Sequence, residues 1–142
     1  MEGTELQIRP YSESDRGAVV ALWLEVFVNE PSWNAPEAMI RRKLAVQPEL
    51  FLVGAIAGKV VATVLAGFDG VRGWIHHLAV TPSRRRRGIA TRMMRAAEAG
   101  LARLGCPKIN LQVRPANAEA IAFYRTLGYE VEERVGMGKR LR

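Results

Sequence analysis

The sequence predicts an α/β domain, a mixed sheet with helices on its faces. Three observations predict it. Apolar residues recur at period two, or in short unbroken runs, in some segments and at three- and four-residue spacing in others, so strands and helices share one chain. A strand, a helix and a strand over residues 74–113 make one βαβ unit, which requires a parallel pair. Tight turns elsewhere fold neighbouring strands into hairpins and make the rest of the sheet antiparallel.

Taken in order, Leu6-Gln7-Ile8-Arg9 alternates as a first strand. Ser12 or Ser14 caps the next helix, with Asp15 favoured at its positive end. Val19, Leu22, Trp23, Val26 and Phe27 form the apolar stripe of a helix over 15–28. The stretch "NEPSWNAPE" reads as a loop, and Pro36 opens a second helix over 37–46 carrying Met39, Ile40, Lys43 and Leu44. Residues 51–68, "FLVGAIAGKVVATVLAGF", are long and apolar enough to suggest a membrane span, but Gly58-Lys59 interrupts them and valine is abundant. Two buried strands, 50–57 and 60–68, joined by a tight turn fit better. The turn "DGVRG" leads to a strand at 74–80, ended by Pro82. Ile89, Met93, Ala97, Leu101 and Leu104 define a helix over 88–104, stopped by Gly105. A strand at 108–113, a helix from Pro115 to Leu127 stopped by Gly128, and two strands near 129–134 and 136–141 complete the order β-α-α-β-β-β-α-β-α-β-β.

A chain of 142 residues suits one domain, 1–142, with one core. The N-terminus has no basic stretch followed by an apolar one, so no export signal is expected. Cys106 is the only cysteine, which rules out an internal disulfide and reads as a small buried residue rather than a nucleophile. No metal site is expected. The net charge of +7 points to an anionic partner without choosing among nucleic acid, membrane and a phosphorylated ligand.

The segment "TPSRRRRGIATR", residues 81–92, narrows that choice. Four arginines and a glycine sit between a strand and a helix. The first turn of a helix has unpartnered amides and a positive dipole end, and glycine lets a phosphate approach the backbone. A pyrophosphate would rest over the amides of 86–90, with charge-assisted bonds from some of the guanidiniums. The segment is neither a Walker loop nor G-x-G-x-x-G. A nucleic-acid surface would add a reading helix or stacking aromatics, whereas the aromatics here lie on core stripes. A phosphate-bearing cofactor therefore ranks above an arginine-rich nucleic-acid-binding protein.

In "LAVTPSRRRRGIA", Arg85, Gly88 and Ala90 occupy the positions of the pattern [Q/R]-x-x-G-x-[G/A] that follows a strand. The stretch "NAEAIAFYRTLGY", residues 117–129, matches N-x-x-A-x-x-F-Y-x-x-L-G-[FY] apart from conservative changes around Ile121. Together, in order and correctly spaced, these motifs resemble the GNAT superfamily of N-acetyltransferases. The phrases "GCPKIN" and "MGKRL" are similar to its bacterial YpeA-type members. The resemblance covers essentially the whole chain.

That resemblance implies acetyl-CoA as cosubstrate and an unidentified primary amine as acceptor, joined by direct attack in a ternary complex. It implies that strands 74–80 and 108–113 splay apart, with the pantetheine in the gap pairing with the backbone of Leu78, Ala79 and Val80. The turn residues Arg85, Arg86, Arg87, Gly88, Ile89 and Ala90 would hold the pyrophosphate, and Asn117 would hydrogen-bond the cofactor. Tyr124 resembles the family's general acid; it lies seven residues from Asn117, on the same helical face. Many relatives carry a glutamate base on the fourth strand, where this chain has His76 and His77. Alternation places the two histidines on opposite faces, so at most one lines the acceptor cleft. Glu25, Glu30 and Asp69 are further candidates acting through water.

The acceptor site is expected between the first two helices, near "NEPSWN", with the turn 69–73 opposite. Trp33 reads first as a loop-anchoring aromatic and second as a substrate wall, and Glu30 and Asp69 read equally as ordinary surface charge and as a pair attracting an ammonium. Cytoplasmic location follows from the absent signal and the cofactor, and a homodimer is common in the family. No membrane and no specific nucleic acid is expected. The alternative on the same fold is a non-catalytic acyl-CoA-binding regulator.

Overall fold

Why the long apolar run forms two strands and not one helix is visible in the sheet. The computed structural model describes residues 5–142. Strand β1 (Leu6–Pro10) pairs with β2 (Phe51–Ile56), β2 with β3 (Lys59–Phe68) and β3 with β4 (Gly73–Val80), all antiparallel. The turn between β2 and β3 is Ala57-Gly58, both at positive φ (52° and 77°), the geometry whose twist suits a two-residue hairpin. Every residue of β2 is buried because helices cover both faces. Helices α1 (Arg16–Val26) and α2 (Pro36–Leu44) lie on one face, where Trp23 and Ile40 join Phe51, Val53 and Leu65 in a continuous core. Helix α3 (Ile89–Arg103) covers the other, where Met93 lies against Gly54. Among the described residues no helix is long and apolar enough to cross a membrane.

The crossover through α3 returns to β5 (Ile109–Asn110), which runs parallel to β4 and completes the order β1-β2-β3-β4-β5. The sheet is therefore mixed, as the βαβ pattern predicts. Entry into α1 is held by charge. Arg9 of β1 makes a bidentate pair with the buried Asp15 (2.7 and 2.9 Å), and Asp15 also accepts from the Ser12 amide at 2.8 Å. The Arg9 guanidinium is the main reason the Asp15 carboxyl sits below its ordinary pKa. On α3 the stripe is as predicted from Ile89 to Leu101, but Leu104 caps the helix and is exposed.

Residues Gln112–Arg142 form a second compact unit, containing α4 (Ala118–Thr126). The strands expected at 129–134 and 136–141 are not formed. Val131, Val135, Met137 and Leu141 are open to solvent, and a strand without a partner has neither a paired backbone nor a buried face. Gly136 and Gly138 further weaken the second segment. The strand expected over 108–113 is likewise reduced to two residues.

The interface between β2 and α3 is close enough to test. A Cβ on Gly54 would lie 2.9 Å from Met93 Sδ and 3.1 Å from Leu6 Cδ1. Gly54→Val is expected to destabilise the protein by about 1–3 kcal/mol through overpacking. In urea denaturation, adding Met93→Ala to that variant should recover part of the loss.

Candidate active site

The site begins with a fault in β4. Thr63 of β3 pairs with Ala79, and Leu65 pairs with His76, so two residues, His77 and Leu78, face the single residue Val64. This is a β-bulge, which bends a strand and re-aims its side chains. His77 takes φ 48°, a left-handed conformation that histidine adopts more readily than most residues. A buried relay holds the bulge in place. Trp23 Nε1 donates to Thr63 Oγ1 at 2.9 Å, and Thr63 Oγ1 donates to the His77 carbonyl at 3.0 Å.

The bulge overturns the expectation that His76 and His77 point to opposite faces. His77 packs edge-on against Trp23 (centroids 4.9 Å apart) and tilted on Phe27 (4.2 Å), both from the α1 side. His76 lies beside Lys43 of α2, on the same face of the sheet. Strict alternation holds only while each residue of a strand opposes one residue of its partner. Burial, with a smaller contribution from His76, pushes the His77 pKa down to about 4. His77 is therefore neutral at pH 7, and its 3.8 Å approach to the Glu30 carboxylate is not a charged pair there. His76 keeps contact with water, yet desolvation, and then the Lys43 ammonium, lower its pKa as well.

On its other edge β4 pairs with β5 only at Gly73 and Trp74. From Ile75 to Val80 no strand pairs with that edge among the described residues, so no neighbouring strand takes up the backbone groups that Leu78 to Val80 turn to it. The chain then makes a short 3-10 turn at Pro82–Arg84 and enters the arginine run. Arg85 donates from Nε to the Val80 carbonyl at 3.2 Å. Arg86 (φ 64°) and Gly88 (φ 77°) are left-handed, and α3 starts at Ile89. Arg85, Arg86, Arg87 and Gly88 are exposed, Ile89 is buried and Ala90 is half-buried. No side chain caps α3, so its first-turn amides and positive dipole end stay open. A Cβ at Gly88 would touch nothing within 4 Å, which leaves room for a ligand above the turn.

Below the bulge a cavity of about 350 Å³ opens between α2 and the ends of β3 and β4. Its apolar wall includes Met39, Val46, Leu65, Phe68 and Trp74. Its polar groups are Arg42, Lys43, Gln47, Asp69 and His76. Lys43 Nζ donates to the Ala66 carbonyl, and burial lowers its pKa. Gln47 clasps the Phe68 backbone, donating to its carbonyl at 2.9 Å and accepting from its amide at 2.8 Å. Asp69 Oδ1 accepts from the Val71 and Arg72 amides, both at 2.8 Å, and these bonds hold its carboxyl below the usual range.

Trp33 is not part of this lining, so of its two readings the substrate wall does not hold; half-exposed, it offers its carbonyl to Arg42. Glu30 and Asp69 do not act as a pair either, since Glu30 belongs to the His77 contact and Asp69 to the cavity. Sequence reasoning missed Lys43, Gln47 and Thr63. For Lys43 a signal existed: a cation on the same stripe as Met39, Ile40 and Leu44 faces protein, not water.

In the C-terminal unit, Asn117 is the N-cap of α4, its Oδ1 accepting from the Ala120 amide at 3.1 Å. Tyr124 meets Phe123 and Tyr129 edge-on, with centroids 5.1 and 5.8 Å apart. Burial pushes its hydroxyl pKa up to about 12, so Tyr124 is a protonated donor at neutral pH.

Residues 16–129 match the family model described as Acetyltransferase (GNAT) family. The chain belongs to the GNAT acetyltransferase family. It is 41% identical over 136 residues to a Yersinia enterocolitica protein named as an acetyltransferase, covering 96% of each chain. A Sodalis glossinidius protein of the same description is 43% identical over 137 residues, again with 96% of each chain covered. Among solved structures, Ard1 from Thermoplasma volcanium is similar with TM-score 0.79 and 25% identity, over 89% of this chain and 84% of that one. The aminoglycoside enzyme AAC(6′)-Iy, in complex with a coenzyme A bisubstrate analogue, shares the fold with TM-score 0.80 at 19% identity, over 96% and 99% of the two chains.

Two outcomes test the bulge. Thr63→Val keeps the shape but leaves the Trp23 N–H and the His77 carbonyl unpaired, and should cost about 2–4 kcal/mol in urea denaturation. Unfolded, His77 titrates near 6.5; folded, near 4. Between those values the unfolded chain binds more protons, so stability falls as pH drops through the window and is fully present above it. The His77 share amounts to about 3 kcal/mol. His77→Asn, which tolerates the left-handed backbone, should flatten stability measured between about pH 7.5 and about pH 4.

Proposed function

We propose that this family member is an acetyl-CoA-dependent N-acetyltransferase that acetylates a primary amine by direct attack in a ternary complex. We further propose that the N-acetyltransferase domain spans 1–142. What carries the reading is one stretch of chain: the bulge at His77 and Leu78, the open edge that follows it, and the uncapped N-terminus of α3 behind Gly88.

Bound acetyl-CoA supplies the acyl group as an activated thioester. Leu78, Ala79 and Val80 bind its extended arm through their backbone, as an added strand would. The amides from Arg86 to Ala90, the open dipole of α3 and the exposed guanidiniums of Arg86 and Arg87 hold its phosphates. Arg85, spent in part on the Val80 carbonyl, shapes the turn. A backbone N–H at the bulge, near Leu78, is the donor for the oxyanion that develops on the thioester carbonyl. Asn117 serves chiefly as the cap of α4 and offers the cofactor its remaining amide nitrogen.

His76 is the base. It touches water, is neutral at pH 7 and lines the cavity next to the bulge, whereas His77 is enclosed by rings and is structural. The amine enters as an ammonium and loses two protons. One passes through His76 to solvent; the nitrogen–carbon bond forms, the carbon–sulfur bond breaks, Tyr124 gives its proton to sulfur, and the second proton from nitrogen restores the Tyr124 hydroxyl. With a pKa near 12 the hydroxyl is protonated at neutral pH and donates a hydrogen bond to the departing sulfur; because a thiolate is a weaker base than a tyrosinate, its proton is delivered only as the proton from nitrogen replaces it.

Calorimetric titration with acetyl-CoA is the first test. Micromolar binding is expected, weakened at least about tenfold in Gly88→Glu, which adds a negative charge and forces a side chain into φ 77°. With an accepted amine, Tyr124→Phe should lower kcat by about 10²-fold or more with little change in acetyl-CoA affinity. Absence of acetyl-CoA binding in the parent protein overturns the reading.

A further inference from the structure

The cavity under the bulge has more positive charge than its surroundings neutralise. Arg42 and Lys43 both line it, and neither makes an ion pair among the described residues. Arg42 reaches the Trp33 carbonyl, and Lys43 reaches the Ala66 carbonyl. Lys43 is partly desolvated and has only the distant Glu49 as an opposite charge acting on it. A half-buried ammonium satisfied by one neutral carbonyl retains two donors, and an anion is their natural partner. The one carboxylate in the lining, Asp69, already turns an oxygen to its own loop amides.

The cavity is also small and largely apolar. At about 350 Å³ it lies at the low end for small-molecule sites, and Met39, Val46, Leu65, Phe68 and Trp74 supply hydrocarbon and ring surface. A polycationic acceptor such as an aminoglycoside is a poor match to a pocket carrying Arg42 and Lys43, although the AAC(6′)-Iy structure shares this fold. A simple alkylamine would leave the cations unpaired.

We propose that this cavity binds a free α-amino acid with an apolar side chain, its carboxylate held by Lys43 with support from Arg42. The side chain occupies the apolar wall. The ammonium group lies at the end bounded by Asp69 and His76, where His76 removes the proton. Arg42, Lys43, Asp69 and His76 are the charged and titratable groups of the lining, and together they complement both charges of a zwitterion. That the bound amino acid is the acetyl acceptor rests on the N-acetyltransferase reading above; that it binds does not.

Leucine, leucinamide and isoamylamine separate these contributions, because the three share a side chain and an amine and differ in the carboxylate. Binding of each to the full-length protein, with and without coenzyme A, is read by calorimetry and by the shift of the His76 ring in NMR. Leucine is expected to bind about tenfold or more tightly than either analogue, as a charge-assisted contact requires. Lys43→Met, which keeps length and adds to an already apolar wall, should abolish that preference and leave acetyl-CoA affinity unchanged. Lys43→Arg should retain the preference, which guards against a folding defect in the first variant. Equal or tighter binding of leucinamide or isoamylamine, a preference that survives Lys43→Met, or no binding of any of the three overturns the proposal. Leucine binding that persists while acetyl-CoA neither binds nor reacts supports the pocket and overturns the catalytic reading instead.

Discussion

Thr63 Oγ1 sits between two buried partners, accepting from the Trp23 indole and donating to the His77 carbonyl. Wholly enclosed, it has no water to fall back on, so both bonds must be made or the groups are left bare. The consequence runs outward along β4. An extra residue held at this point turns His77 onto the rings of α1, leaves His76 over the α2 cavity and bends the strand just where its edge loses β5. The side-chain relay joins α1, β3 and β4, so packing on one face of the sheet determines how backbone is presented along one edge.

The same strand links two positive features of different character. At its end, the arginine run and the α3 terminus offer charge in open solvent, suited to a flexible, highly charged ligand that retains much of its hydration. Beneath it, Lys43 and Arg42 offer charge against hydrocarbon, suited to a small ligand that is itself largely desolvated. His76 lies beside the second and close in sequence to the bulge.

Much of the architecture was legible in the sequence because local signals and burial agreed. The run from Phe51 to Phe68 reads as two strands because Ala57-Gly58 permits positive φ and valine favours a pleated surface. The α3 stripe reads correctly to Leu101 because 3.6-residue periodicity reports the buried face. The tail fails for the complementary reason. Residues 129–141 alternate in part, but strand formation depends on a neighbour's backbone, which no local pattern records.

The sequence by itself determined the helix and strand periods, the βαβ connection, the arginine run against Gly88 and the family motifs, since each is a property of residues adjacent along the chain. Tertiary structure alone decided that His76 and His77 share a face, that Lys43 lines a cavity, and that Thr63 braces the bulge. Each of these is set by pairing across strands or by packing between elements, as in the bond between Trp23 and Thr63, forty residues apart. Period-two alternation cannot anticipate a residue inserted opposite a single partner, because the inserted residue is identified only by what lies across from it.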